Sequence, residues 1–284
     1  MVFSDLRFVF IFLPVFLFIY YLLPYKAKNL FLFCASVVFY TLGTLDRPFY
    51  ALLLLMAVVI TYCAGIGIEA KARYKKAILA AVLIYHFGLL FLYKYQVFLF
   101  ASLNDLFSLF YVDIDLPILE LVLPVGISFY VFQAASYLID IYRAQIRAEH
   151  SFIKFGTYLT MFPQLIAGPI VTYQTISGEL QKRRHSFHDF NEGLKLFVIG
   201  LGYKVILANN IGGLWKDVTV IGFESISSPL AWMAIVAYSF QLYFDFYGYS
   251  LMAKGMGRMM GFSIPDNFKD PYVSLSMTEF WRRW

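Results

Sequence analysis

Charged side chains are scarce in this sequence. Asp, Glu, Lys and Arg make up 14% of the 284 residues, whereas hydrophobic residues make up 61% and aromatic residues 20%. Soluble domains carry about 25% charged and about 45–50% apolar residues. A soluble fold could not bury this much apolar surface, so the composition excludes an ordinary soluble protein and predicts that lipid surrounds much of the chain.

Residues typical of disulfides and metal sites are also few. The two cysteines, Cys34 and Cys63, lie inside apolar runs and form no CxxC motif, which argues against both kinds of site. His185 and His188 have a spacing that could suit a metal ion, but the adjacent basic run Lys182–Arg184 would repel a cation. We therefore predict no metal and no bound cofactor.

The sequence contains no long polar linker, no internal repeat and no low-complexity segment. This predicts a single transmembrane domain that covers residues 1–284. The N-terminal segment, residues 1–24, lacks the small-residue cleavage site of a secretory signal, so we interpret it as a retained first span. We attribute the net charge of +5 to loops beside the membrane, and no nucleic-acid partner is predicted.

Long apolar runs predict the membrane spans, because a helix needs about 20 apolar residues to cross the hydrocarbon core. Seven runs approach that length: Phe8–Leu23, Asn29–Leu45, Phe49–Ile68, Ala77–Tyr93, Leu121–Ile141, Leu194–Ala208 and Leu230–Tyr249. Three shorter or broken runs are predicted to be re-entrant or interfacial: Val97–Tyr111, Phe155–Val171 and Gly255–Ile264. Such backbone is tolerated at membrane depth only inside protein or beside a water-filled cavity. The predicted fold class is an all-α, polytopic transmembrane bundle with broken helices.

The distribution of Lys and Arg predicts the orientation, because cytoplasmic loops hold an excess of these residues. With the N-terminus outside, most basic residues fall in inner loops. Lys195 and Lys204 lie within a predicted span. The outer side then carries only Arg7, Arg47, Lys94 and Lys216.

Three clusters of polar or helix-breaking residues lie at predicted membrane depth, where polar side chains are costly and often functional. The first contains Ser128 and Gln133, which follow Pro124 and Gly126 in the run 121–141. Pro124 and Gly126 are expected to kink this helix. Ser128 and Gln133 could line a substrate chamber, or could hydrogen-bond to neighbouring helices in an ordinary bundle.

The second cluster contains Pro163, Gln164, Gly168 and Pro169. Two prolines and a glycine so close together predict a broken helix. In a bundle, such a break exposes backbone groups to a cavity. The segment is therefore predicted either to shape the wall of a chamber or to form a tight turn between helices.

The third cluster contains Gln241, Asp245 and Tyr249, which recur every four residues and share one helix face. A carboxylate inside a span needs protein groups or cavity water around it. We interpret this face as lining a substrate chamber, with Asp245 better suited to orienting a ligand or to a structural role than to acting as a base. The glycine-rich run 255–261 has the wrong spacing for a dinucleotide-binding loop, so it predicts close helix packing.

Several long motifs occur in order along the chain: MVFS at 1–4, LPVGISFYVFQ at 123–133, FPQLIAGPI at 162–170, FSIPDNF at 262–268 and MTEFWRRW at 277–284. With these motifs the whole sequence resembles the membrane-bound O-acyltransferase family, and within it the bacterial members that O-acetylate alginate. The resemblance implies a funnel of helices in the bacterial inner membrane. It implies O-acetylation of an exported polysaccharide such as alginate, an acyl donor such as acetyl-CoA, and a periplasmic or extracellular acetyltransferase partner.

In that family, the essential histidine follows directly after the position of Trp284, and a second histidine lies further downstream. Neither position falls within these 284 residues, so no catalytic residue is assigned. The expectation is that this stretch forms most of a chamber and cannot catalyse alone. The arginines of the final motif could attract a phosphate-bearing donor. The residues that adjoin the histidine position are Glu279, Trp281, Arg282, Arg283 and Trp284.

Two other functions remain open. A transporter or channel would also use broken helices and intramembrane polar groups, although the inverted repeats that would support it are not visible in the sequence. An inactive membrane scaffold is the second alternative. The coding sequence after Trp284 would distinguish this scaffold from an enzyme.

Overall fold

The computed structural model describes residues 2–71, 73–111, 114, 116–119, 121–165, 168 and 171–284. Across these residues the regular structure is helical, without a strand, so the predicted all-α fold class is confirmed. The α-helices are α1 (Leu13–Leu22), α2 (Tyr25–Gly43), α3 (Phe49–Ala70), α4 (Lys75–Lys94), α5 (Gln96–Leu109), α6 (Ile127–Tyr142), α7 (Phe152–Thr160), α8 (Phe162–Leu165), α9 (Tyr173–Gln181), α10 (Phe187–Gly202), α11 (Asn209–Ile221), α12 (Ser228–Met259) and α13 (Met277–Arg283).

Two π-helical turns extend these helices. Phe8–Phe12 leads into α1, and Tyr203–Ala208 joins α10 to α11. The second turn makes Phe187–Ile221 one continuous helix of 35 residues. Short 3₁₀ turns occur at Phe223–Ser225 and Pro271–Val273.

The chain forms two compact units. The central unit is Ser36–Met161, and the terminal unit combines Met1–Ala35 with Phe162–Trp284. The single domain over residues 1–284 stays a prediction.

The core of the central unit is made by α3, α4 and α6, with α7 packed against α3 and α6. Thr61 Oγ1 and His86 Nε2 lie 2.8 Å apart and link α3 to α4. Gln133 Nε2 donates to the backbone oxygen of Tyr158 at 3.2 Å and links α6 to α7. These bonds satisfy polar groups that would be costly to bury alone.

Glycines set the main helix contact of the terminal unit, between α10 and α12. A Cβ atom on Gly200 would lie 2.5 Å from the backbone oxygen of Gly248, and one on Gly255 would lie 2.5 Å from that of Gly193. Small residues allow helix backbones to approach closely in membrane proteins. The close helix packing predicted for the glycine-rich run is therefore confirmed at Gly255.

Serines and a glycine define three helix ends in the terminal unit. Ser186 accepts a hydrogen bond from the backbone N–H of Asp189 at 3.0 Å, and Ser276 accepts one from Glu279 at 3.1 Å. These are N-caps of α10 and α13. After α12 the chain turns at Gly261, whose φ of +83° is a left-handed conformation that favours glycine at a helix C-terminus.

Several helices suit a bilayer. Among the described residues, three are long and apolar enough to cross a membrane, namely Phe49–Ala70, Lys75–Lys94 and Phe187–Ile221. Large apolar side chains also face outward: Phe10, Ile84 and Trp232 are 72%, 72% and 69% exposed. Apolar surface of this extent fits lipid better than water as the surrounding medium.

Several predicted boundaries were wrong. The predicted span Leu194–Ala208 is only part of the continuous helix Phe187–Ile221. Helix α6 begins at Ile127 instead of Leu121, because Gly126 adopts a left-handed φ of +76°. Pro124 and Gly126 therefore precede the helix and do not kink it. Helix α12 runs for 32 residues to Met259, so the first half of Gly255–Ile264 continues this helix and is not a separate re-entrant stretch.

The predicted break in Phe155–Val171 is confirmed. Helix α7 ends at Thr160, and the single turn α8 follows at Phe162–Leu165, with Pro163 inside it. The short run Val97–Tyr111 forms the 14-residue helix α5, which is shorter than a membrane span.

Candidate functional site

Asp245 on α12 forms an ion pair with Lys204 Nζ in the terminal unit. Lys204 lies in the π-helical turn Tyr203–Ala208. Its side chain is 20% exposed, and that of Asp245 is 43% exposed. Sequence reasoning singled out Asp245 but missed Lys204 as a site residue. The available signal was a lysine inside a predicted span, because intramembrane charges usually pair with one another.

The glycine contact between α10 and α12 explains why these two charges meet. A Cβ atom on Gly248 would lie 3.0 Å from the backbone nitrogen of Lys204. Lys204 comes one helical turn after Gly200, and Asp245 comes just before Gly248. The close approach of the two backbones therefore brings the side chains together, and the π-helical turn at Lys204 is a distortion common at functional sites.

Gln241 lies one turn before Asp245 and faces α11. Its Nε2 would be 2.7 Å from a Cβ atom placed on Gly212, so the absence of a side chain there makes room for the amide. The Oε1 atom of Gln241 is buried and has no hydrogen-bond partner among the described residues. A buried acceptor of this kind is suited to a donor group from a ligand or a water molecule.

The ring of Phe3 connects Tyr249, on the same helix face as Asp245, to the proline-containing segment at Phe162. Tyr249 stacks on Phe3 at a centroid distance of 4.6 Å, and Phe3 meets Phe162 edge-on at 6.4 Å. Pro163 and Gln164 are buried in α8, which packs against α12. The structure thus brings these parts of the second and third clusters together.

Gly168 folds back onto the same short helix. Its backbone N–H donates to the Gln164 oxygen at 3.3 Å, and a Cβ atom there would lie 2.5 Å from Gln164 Cα. Only glycine fits such an approach. Pro169, the other residue predicted for this wall, lies outside the described residues.

The final motif packs against an aromatic side of α12. Trp284 lies 5.1 Å from Phe268 and 6.4 Å from Tyr243, measured between ring centroids. Tyr272, which also contacts Trp284, donates its hydroxyl hydrogen to the backbone oxygen of Ser239 at 2.7 Å. Tyr243 is two residues from both Gln241 and Asp245, so its ring lies on the opposite side of α12 from those polar groups. Trp284 therefore packs on an aromatic side of the same helix.

The two arginines of the final motif have different surroundings. Arg283 Nε donates to Glu279 Oε1 at 2.9 Å, and Arg283 Nη1 donates to the Lys269 backbone oxygen at 3.2 Å. The Leu275 backbone N–H, and then Arg283, hold the pKa of Glu279 below its usual range. Arg282 and Trp281 are exposed. Arg283 therefore stabilises α13, while Arg282 is accessible to a ligand.

Ser128 and Gln133 belong to the central unit. Gln133 is buried and bonded to Tyr158, and Ser128 is half-buried in the first turn of α6. Their predicted place in one chamber with α12 stays a prediction. The hydrogen bond from Gln133 to Tyr158 supports the alternative that Gln133 joins neighbouring helices of an ordinary bundle.

The arrangement in the terminal unit suits substrate positioning. One side of α12 carries an ion pair and a buried amide oxygen, and the opposite side packs against the aromatic residues around Trp284. Asp245 is already engaged by Lys204, so it is better placed to orient neighbouring groups than to remove a proton from a hydroxyl.

The family model of the membrane-bound O-acyltransferases matches residues 128–284, which is more than half of the sequence. The chain belongs to this family. It is a multi-pass membrane protein, as its apolar helices also indicate. The resemblance stated from the motifs is thereby confirmed.

Relatives match the chain over its whole length. It is 39% identical over 289 residues to the probable alginate O-acetylase AlgI of Pseudomonas aeruginosa, with 100% of this chain and 54% of the relative aligned. It is 32% identical over 318 residues to the peptidoglycan O-acetyltransferase of Helicobacter pylori, with 100% and 59% aligned. The chain therefore spans little more than half the length of these relatives.

A more distant relative shares part of the chain. The teichoic acid D-alanyltransferase of Streptococcus thermophilus is 28% identical over 165 residues, which cover 56% of this chain and 40% of the relative.

Proposed function

We propose that the full-length protein is a membrane O-acyltransferase that acetylates an exported polysaccharide such as alginate. The observation that carries the proposal is the Lys204–Asp245 ion pair, which lies one helical turn of α12 from the buried Oε1 atom of Gln241. The family resemblance assigns the essential histidine to the position after Trp284. Trp284 packs against Tyr243 on the other side of α12, so the histidine position would lie close to the helix that carries Asp245.

The names of the relatives support acetyl transfer to a polymer. Two of them are described as acting on alginate and on peptidoglycan. A third is described as transferring D-alanine to teichoic acid, so the family membership alone leaves the acyl group open. The higher identity to the alginate O-acetylase over the whole chain favours acetate and a polysaccharide.

The proposed reaction moves an acetyl group from a donor such as acetyl-CoA to a hydroxyl group. Such a transfer needs a group that accepts the hydroxyl proton, and a histidine suits that task near neutral pH. The role proposed for Lys204 and Asp245 is to orient the substrate at the polar face of α12. Gln241 Oε1 would accept a hydrogen bond from the substrate, and the exposed Arg282 would attract a phosphate of the donor.

The proposed setting is the bacterial inner membrane, with the N-terminus outside. The acyl donor would then approach the protein from the cytoplasm, where most of the basic loops are predicted to lie. A periplasmic or extracellular acetyltransferase partner would complete transfer to the polymer.

Replacement of Asp245 in the full-length protein tests the site. We expect Asp245→Ala to lower polysaccharide acetylation about tenfold or more, since small misplacements of reacting groups are costly. The measurement is the acetyl content of the exported polymer, normalised to the amount of protein in the membrane. Lys195→Gln is the matched control, because Lys195 lies exposed on α10 in an ion pair with Glu192.

Unchanged acetylation by Asp245→Ala at normal membrane levels would remove Asp245 from the site. A native full-length protein, expressed with its partner, that leaves the polymer unacetylated would overturn the proposed function itself.

A further inference from the structure

The terminal unit contains a cavity of about 560 Å³ whose lining includes none of Gln241, Asp245 and Tyr249. It is bordered by the segment after α9, by the last turns of α12 and by the turn at Gly261. Its lining is rich in cations: Lys182, Arg183, Arg184, Lys254 and Arg258. We refer to it as the basic cavity.

The carboxylates near the basic cavity already have partners. Asp189 accepts from Arg258 at 3.3 Å, and Glu179 Oε2 accepts from the Ser263 backbone N–H at 2.9 Å. Lys254 pairs with Asp266. In the part of the chain that the structure describes, Lys182, Arg183 and Arg184 have no carboxylate partner. The cavity therefore retains excess positive charge.

Arg183 is buried, with 6% of its surface exposed. Its Nε donates to the Tyr20 hydroxyl at 2.8 Å, and its Nη1 donates to Asn29 Oδ1 at 2.6 Å. Its guanidinium group lies 4.4 Å from the centre of the Phe262 ring. The Nη2 atom is buried without a hydrogen-bond partner among the described residues. A buried charge left without a counter-charge is costly, so an anion at this position would be strongly favoured.

The surroundings of Arg183 add to the positive potential. Lys28 is also buried and lies 4.7 Å from the centre of the Tyr20 ring. The His185 ring stacks on the Tyr20 ring at a centroid distance of 5.6 Å. The Nε2 atom of His185 is buried without a hydrogen-bond partner among the described residues. Within the described part of the chain, two buried nitrogen atoms of one small region, Arg183 Nη2 and His185 Nε2, thus have no hydrogen-bond partner.

The turn after α12 is shaped to hold this region in place. A Cβ atom on Gly261 would lie 2.7 Å from the Arg184 backbone oxygen and 3.3 Å from His185 Nδ1. Gly261 also has a φ of +83°. Glycine therefore permits both the turn and the close approach of the basic segment, so the arrangement is built into the fold.

We propose that the basic cavity binds a phosphate-bearing anion through Lys182, Arg183 and Arg184. The planar guanidinium group of arginine matches phosphate geometry with two parallel hydrogen bonds, and an exposed lysine adds a mobile charge. An excess of cytoplasmic Lys and Arg is expected of any membrane protein, but that rule does not account for a buried arginine with an unsatisfied nitrogen. The phosphate could belong to a soluble phosphate ester or to an anionic lipid headgroup.

The test uses the double variant Lys182→Gln/Arg184→Gln, because both side chains are exposed and their loss should leave the fold intact. The matched control is Lys71→Gln/Lys76→Gln, which removes two exposed charges from the same predicted side of the membrane. In one arm, ADP binding to the full-length protein in phosphatidylcholine nanodiscs is measured by calorimetry. In the other, retention of phosphatidylglycerol is measured by native mass spectrometry.

We expect the double variant to weaken ADP binding or phosphatidylglycerol retention about tenfold, and the control to change neither. Loss in the ADP arm assigns the site to a soluble phosphate ester, and loss in the lipid arm assigns it to a headgroup. Equal loss in variant and control, or no detectable binding in either arm by the native protein, would overturn the proposal. Neither arm requires acetyl transfer, so the result is independent of the proposed function.

Discussion

At the residue scale, the pairing of Lys204 with Asp245 shows how tertiary structure changes the meaning of a single side chain. The four-residue spacing of Gln241, Asp245 and Tyr249 correctly predicted one helix face. Lys204 was visible only as a charge inside an apolar run. Its partner lies 41 residues further along the chain, so local spacing could not identify the pair.

His185 allows a prediction about pH at this scale. Burial, and then the charges of Lys28 and Arg183, hold the pKa of His185 below its usual range. The unfolded chain, with a histidine pKa of about 6.5, therefore binds a proton more readily than the folded protein does. The contribution of neutral His185 to stability is complete above that value and is lost as the pH falls through the folded pKa.

We expect the thermal unfolding temperature in detergent to fall as the pH is lowered below about 6.5, and to fall less in His185→Gln. His188→Gln, which changes an exposed histidine three residues away, should keep the native pH dependence. An identical pH dependence in the native protein and His185→Gln would contradict this account.

At the element scale, the long helices α10 and α12 are held together by glycines. Their apolar composition predicted helices, but the periodicity did not reveal that the two backbones touch at Gly200 and Gly248. The sequence also placed the start of α6 too early. The apolar run begins at Leu121, but the left-handed backbone at Gly126 prevents the helix from beginning before Ile127.

The helix contact predicts opposite effects for two glycines on one helix. Gly200→Ala would place a methyl group 2.5 Å from the Gly248 oxygen, so we expect destabilisation of about 1–3 kcal/mol. Gly202→Ala is the control, because no atom lies within 4 Å of its Cβ position, and alanine favours helix by up to about 1 kcal/mol. Unfolding in increasing denaturant measures both. Equal stability of the two variants would show that the contact does not constrain the helices.

At the scale of the whole molecule, composition predicted a membrane protein, and the outward apolar side chains of both compact units agree with that prediction. The orientation rests on the basic residues, which predict an N-terminus outside the cytoplasm. On this prediction, the segment immediately before the long helix Phe187–Ile221 would lie inside, and the segment immediately after it would lie outside.

Cysteine labelling in intact cells tests this orientation. With Cys34 and Cys63 replaced, a membrane-impermeant maleimide should label Glu224→Cys and should not label His188→Cys. Both positions are exposed in the structure, so access to the reagent depends on the side of the membrane. Disruption of the cells should make both cysteines reactive and serves as the control. The reverse pattern in intact cells would invert the predicted topology.

The sequence by itself determined the membrane character, the helical fold class and the motifs that place the chain in its family. These properties depend on composition and on local order, which are fully present in the primary structure. Only the tertiary structure decided that Lys204 meets Asp245, that Trp284 packs against Tyr243, and that Arg183 is buried in a basic cavity. Such contacts join residues far apart in the chain, and they depend on how closely the helix backbones can approach one another.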